Sequence, residues 1–356
     1  SPIMRDGACS TARAQTVRWF RTDIVHPLCL MKSKALLSLV CSSLLVIPDL
    51  VSAADSLIPG NPVEVTGTQG KFDFIKIDSA NDRLLACHTG NGSLDVIDVT
   101  TSKLIKSIPT GNAQGVAIDS KNNRYFVSVS KPPKMVIVDS TKLEVIGEVA
   151  LPGPADLVAY HLATNRVFVC NDDKPEMWVV DPMSKKIVST INFPGGGMED
   201  LGFGSQDTFL FQCLKDSSEL AKLDVKTEKV VAKWPTSPVD NPHGMAIVPG
   251  TDQVLIVGGK GKLGLFDLSN GQIVGTVDVS PKVDEIAYDP TLRRVYCASG
   301  LSTISVVGLD HNTLAALPPL TSSPGAHSIA VDPQTHAIWI AFAKNDRSYV
   351  QAFTAK

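Results

Sequence analysis

From Gly70 to Gly111 apolar and polar residues alternate in runs of five or six, at Phe72–Ile77, Arg83–Cys87, Leu94–Val99 and Leu104–Ile108. Turn-forming stretches at Ser79–Asp82, Thr89–Gly92 and Thr100–Ser102 break the runs. A period of two bounded by such breaks predicts four short strands joined by tight turns. The pattern then starts again at Asn112.

The repeat is carried by two markers in register. A polar residue opens each copy just before an alternating run: Asp73, Gln114, Asp156, Glu199, His243, Asp284 and His327, at steps of 41, 42, 43, 44, 41 and 43. A second series, Asp98, Asp139, Asp181, Asp224 and Asp267, ends a strand in each copy at steps of 41, 42, 43 and 43. An Asp there can accept from a backbone amide two residues on and so set the next turn. Seven units of about 42 residues predict an all-β fold, a seven-bladed β-propeller. The last unit, from His327, holds only three strands, Ser328–Asp332, Ala337–Ala343 and Tyr349–Phe353. Pro62–Gly67 aligns with the missing fourth, so the N-terminal segment is expected to complete the last blade and close the ring.

Residues 1–30 carry neither strand period nor helix caps and read as an upstream extension outside the fold. Lys32 and Lys34, the apolar run Ala35–Ile47 and Val51-Ser52-Ala53 form a charged, apolar and small-residue series over 31–53. That is the arrangement of a signal peptide, and the run is short for a membrane span. The propeller is then expected over 54–356, in the periplasm or secreted. The six basic and three acidic residues before Ala54, set against 33 and 36 in the chain, leave 27 and 33, a net charge of −6. That balance argues against a nucleic-acid surface, and a soluble monomer is expected. Cys87, Cys170, Cys213 and Cys297 recur at the end of the second strand of four units. Equivalent places in separate blades are too far apart for disulfides. They read as small buried fillers. Nucleotide and haem sites are not expected, because G-x-S-x-G, P-loop and C-x-x-C-H patterns are absent from the sequence.

The units GSLDVIDVTTSKLIKSIPTG and KMVIVDSTKLEVIGEVALPG resemble the YVTN-type repeats of the YncE-like bacterial propellers. The resemblance covers about residues 60–356 and implies a seven-bladed, exported propeller. It assigns no chemistry, because one fold hosts many functions. Related propellers include lactonases that hold a divalent cation at the channel mouth, while WD-repeat propellers serve as binding platforms.

The marker residues follow the loop that crosses from one blade to the next, so all seven are expected around one mouth of the central channel. Six of the seven are Asp, Glu or His, types that make up 39 of residues 54–356, where about one would fall by chance. Asp73, Asp156, Glu199, His243, Asp284 and His327 are therefore candidate ligands for a divalent metal cation, which would relieve the repulsion of crowded carboxylates. Gln114 and His88 are candidate ligand contacts, with His88 expected on a solvated loop. Lys131, Lys134, Asp172, Lys215 and Lys260 are expected on a wider rim. The plainer reading is a water-lined channel in which His243 and His327 bond loop carbonyls, and the doublets Glu199-Asp200 and Asp284-Glu285 cap turns. Two functions follow. One is binding of a small ligand, a metal or a protein partner at the top face. The other is metal-dependent hydrolysis of a lactone or ester, with His243 or His327 moving the proton.

Overall fold

A computed structural model describes residues 57–354. The expected extension 1–30 and leader 31–53 lie outside the described residues. Every regular element among the described residues is a strand, and seven sheets account for them. In blade 2, Ala113–Asp119, Arg124–Val129, Lys134–Asp139 and Glu144–Ala150 pair antiparallel in chain order. Blades 1 and 3–6 repeat this plan, and the innermost strands touch in a closed circuit from blade 1 round to blade 7 and back.

Seven apolar clusters lie at the seven blade interfaces, so each sheet buries both faces against its neighbours. Leu85, Val96, Tyr125 and Val127 pack blade 1 on blade 2, and Phe168, Val179, Phe193 and Leu223 pack blade 3 on blade 4. Trp178 and Trp339 lie in this core, and Trp234 is half-buried at its edge. The second marker series behaves as read from the sequence. Asp98, Asp139, Asp181 and Asp267 accept from the amides of Thr100, Thr141, Met183 and Ser269, and Asp224 accepts from Thr227. The Thr100 and Ser269 hydroxyls at Asp98 and Asp267, and the amides at all five, hold the carboxyls below the usual range, and a left-handed residue such as Ser102 or Lys185 closes the turn.

The ring closes by the expected route, with a longer pairing than expected. Val63 and Glu64 pair with Val350 and Tyr349, and Ile58 and Pro59 pair upstream with Thr354 and Phe353. The main departure from simple alternation lies at the start of the inner strands. In blade 3 the register runs Ala155↔Asn171 and then Val158↔Val169, so Asp156 and Leu157 together oppose Cys170. The same two-against-one bulge sets Glu199 and Asp200 opposite Cys213, His243 and Gly244 opposite Val257, and Asp284 and Glu285 opposite Ala298. In blade 1 Asp73 and Phe74 bracket Cys87, and the regular strand starts only at Ile75. Bulges re-aim side chains, and here they do so at every acidic or histidine marker from Asp73 to Asp284. Cys87, Cys170, Cys213 and Cys297 are free and fully buried, as expected of fillers.

Candidate functional site at the channel mouth

Because each bulge sets two consecutive residues against one, the marker and its successor both reach the channel end in blades 1, 3, 4 and 6. Asp73, Asp156, Glu199, His243 and Asp284 line one cavity of about 40 Å³, together with Phe74, Leu157, Asp200 and Glu285. That volume suits an ion and a few waters. Ligand atoms of Glu199, His243 and Asp284 lie within 4.8 Å of one another. His327 adjoins the group through Asp284, with Nδ1 at 3.0 Å from Oδ2. Gln114, the one amide marker, donates to Ser130 Oγ at 2.6 Å and is not part of the cavity wall.

His243 accounts for both readings of its motif. Its Nδ1 sits 2.8 Å from the Asn241 carbonyl, so the loop carbonyl accepts the Nδ1 proton. That contact leaves Nε2 with its lone pair, the tautomer used by metal-ligating histidines whose other nitrogen is anchored.

The electrostatics are those of a crowded acid ring. Burial, and then the neighbouring Asp284, push the Asp73 carboxyl up to about 7. Burial and then Asp73 push Asp156 well above the usual range. Neither side chain has a hydrogen-bond partner among the described residues. Burial also raises Glu199, against the opposing pull of Lys215, whose ammonium pairs with its carboxylate. Asp284 is the exception: burial pushes it up, but the contact with His327 and the charges of His243 and Lys215 together leave the carboxyl below the usual range. His327 is raised in turn, chiefly by Asp284.

The successor acids do cap backbone, but that of the neighbouring blade. Asp200 Oδ2 accepts from the Met245 amide at 2.8 Å, and Glu285 Oε2 accepts from the Ile329 amide at 3.1 Å. Burial still pushes Asp200 up to about 6 and Glu285 well above the usual range. The sequence showed the acid doublets. It held no sign that the second member would cap the backbone of the next blade.

His88 corrects the expectation of a solvated loop residue on the rim. It ends a second strand, is 0% exposed and stacks on Phe72 with ring centroids 4.0 Å apart. Its Nδ1 lies 2.6 Å from Asp95, and its Nε2 lies 2.9 Å from Ser348 Oγ and 3.1 Å from the Gly70 carbonyl. The order Ser–His–Asp is that of an acyl-transfer triad, but all three members are fully buried, so a substrate has no approach. Ser348 belongs to blade 7 and Asp95 to blade 1, so the network fastens the seam of the ring. His88→Ala leaves a buried carboxylate with only the Ser93 and Ser107 hydroxyls. The expected loss is about 3 kcal/mol, read as an earlier urea midpoint. An unchanged midpoint would remove His88 from the seam.

The fold and this mouth define the class, a seven-bladed β-propeller with an acidic, histidine-bearing channel end. Among solved structures the chain is similar to hydrazine synthase of Kuenenia stuttgartiensis, at TM-score 0.69 and 13% identity over 82% of this chain and 97% of that one. It is also similar to the WD40 repeats of RRP9, at TM-score 0.73 and 10% identity over 85% of this chain and 100% of that one. Identities this low establish the fold alone, one that is compatible with ligand or protein binding. No protein-family model matches the chain, and no curated protein does. No helix among the described residues is long and apolar enough to cross a membrane.

Proposed function

We propose that this chain is an exported propeller of the YVTN type that binds a divalent cation at the mouth of its channel and presents it to a small ligand or a protein partner at the top face. The observation that carries the reading is the convergence of Glu199, His243 and Asp284 within 4.8 Å, beside two enclosed carboxylates, Asp73 and Asp156, without hydrogen-bond partners among the described residues. Mixed carboxylate and imidazole donors suit a divalent ion of intermediate hardness. Three converging ligands leave coordination positions for water or a ligand group. Elemental analysis of purified protein before and after chelation tests this. One equivalent of metal that is lost in His243→Ala supports it, and protein that stays free of metal on incubation with Ca²⁺, Mn²⁺ and Zn²⁺ overturns it.

Metal-dependent hydrolysis on the same ring is the second reading. Its specific support is His327, whose pairing with Asp284 raises its pKa and favours the protonated, proton-donating form at the cavity edge. Turnover of a simple lactone that disappears with chelation and in His327→Ala separates it from binding alone.

The raised carboxyls predict a pH dependence of the cation-free protein. Folded Asp73 keeps its proton to about 7, whereas an unfolded Asp releases it near 3.8. The folded state therefore binds more protons in that window. The stability contributed by protonated Asp73, and in the same direction by Asp156, is complete below the unfolded value and is lost as pH rises through 7. The melting temperature of chelated protein is expected to fall between pH 5 and pH 8, and added divalent cation to restore more of it at pH 8. A flat profile with no cation effect would show that the ring carries no such strain.

A further inference from the structure

We infer that Lys215 is a tethered competitor for the channel-mouth site, an internal ammonium that occupies Glu199 and has to leave before a divalent cation can settle there. The inference rests on the cation-binding reading above. It adds a regulating residue that is not itself a ligand.

Lys215 follows the second strand of blade 4, Phe209–Leu214, in the turn that leads to Glu219–Asp224. Its Nζ makes a close ion pair with Glu199 Oε1, on one of the three side chains whose ligand atoms converge. The carboxylate has a second oxygen, but an ammonium and a divalent cation sharing one carboxylate lie only about 4–5 Å apart and repel strongly in an enclosed site. Occupancy by one therefore works against occupancy by the other. The lysine side chain is 36% exposed, so it has room to move outward. Asp216, next along the turn and exposed, also attracts Lys215 and offers a second place for the ammonium. The stem thus has two anions within reach, one in the mouth and one outside it.

The inward position is built into the neighbouring loop. Gly195, Gly196 and Gly197 all have positive φ, at 154°, 104° and 55°. A Cβ on Gly197 would stand 2.6 Å from Lys215 Cγ and 2.7 Å from Asp216 Oδ2, and one on Gly196 would stand 3.3 Å from the same Asp216 oxygen. The Lys215 amide bonds the Gly197 carbonyl at 2.8 Å. The glycine run, which reads in the sequence as a plain blade loop, gives the lysine stem its path to Glu199.

The groups around the ammonium favour a competitor over a support. Glu199, Asp156 and Asp216 all attract it, so it neutralises part of the acid cluster on the side away from His327 and Asp284. A divalent ion neutralises the same cluster with twice the charge. Internal competition of this kind raises the apparent dissociation constant, so the site fills at a higher cation concentration than its ligands alone would require.

The test is Mn²⁺ binding at pH 8 by titration calorimetry, with free Mn²⁺ counted by electron paramagnetic resonance. Four proteins are compared: the intact chain, Lys215→Met, Lys215→Arg and Glu199→Gln. Lys215→Met keeps the stem and removes the charge, and it is expected to bind Mn²⁺ at least about tenfold tighter, about 1.4 kcal/mol. Lys215→Arg keeps the charge and should stay within about threefold of the intact chain. Glu199→Gln should lose binding. If the intact chain binds and Glu199→Gln does not, but Lys215→Met is unchanged or weaker, the competitor role is overturned and the cation site stands. If Lys215→Arg tightens as much as Lys215→Met, loss of packing rather than of charge is the cause, and the inference fails. If no protein binds Mn²⁺, the site and the competitor fall together.

Discussion

A chain lacking residues 57–67 is expected to melt about 10–15 °C earlier than the intact protein, or to lose its cooperative transition altogether. This short segment buries Leu57 and Val65 at 6% and 3% exposure, in the two apolar clusters that flank blade 7. Burial of two such side chains is worth about 1.5–3 kcal/mol each. Backbone bonds from Gly60 to Ala352 and from Val65 to Ser348, each 2.8 Å, add about 1 kcal/mol apiece. The sum is of order 5 kcal/mol, a large share of the 5–15 kcal/mol that holds a typical domain together. Removal also bares the edge of Arg347–Thr354, a template for pairing with other chains. Thermal unfolding with size-exclusion chromatography measures both effects. A truncated chain that melts with the intact one and stays monomeric would show that the ring is closed by other contacts.

The second large effect is a loss of function from two ring acids, set beside a gain in stability from a third. Glu199→Gln with Asp284→Asn removes two of the three converging ligands and is expected to weaken divalent-cation binding at least about 100-fold, some 2.7 kcal/mol or more. The cation-free fold should not suffer equally. Asp73 and Asp156 are held partly protonated by burial and by their acidic neighbours, Asp284 and Glu199 among them. Neutralising those neighbours removes repulsion from Asp73 and Asp156, although it also gives up the pairs with Lys215 and His327. Asp156→Asn, which lies in the ring without a hydrogen-bond partner, should raise the melting temperature of chelated protein at pH 8 by a few degrees. A binding site commonly trades stability for function, and a ring kept only for its fold would not. A double variant that binds as tightly as the intact chain, or an Asp156→Asn protein that melts lower without cation, would remove the ring from the cation-binding reading.

Much of this was legible in the chain because a propeller repeats local chemistry. An alternating run, a turn-setting Asp and a left-handed residue are each specified within a few neighbours, and repetition every 42 residues or so multiplies a weak signal. Gathering of the polar markers at one channel end follows from that repeat and the connectivity alone. Five of the six candidate metal ligands share one cavity, with His327 joined through Asp284. The readings that needed correction share a different property. Burial of His88 depends on Ser348, 260 residues away, and closure of the seam brings them together.

The sequence by itself determined the number of blades, the way the ring closes and the set of acids and imidazoles at one mouth, because each is a periodic or nearest-neighbour property. Only the tertiary structure decided what each acid of a doublet bonds. A bulge breaks the period of two on which sequence reading relies, so that on one cavity wall Glu199 and Asp284 pair with Lys215 and His327 while Asp200 and Glu285 bind the next blade's amides. The partner of Lys215 was decided in the same way, since the ammonium's reach to Glu199 depends on how three glycines pass beneath its stem.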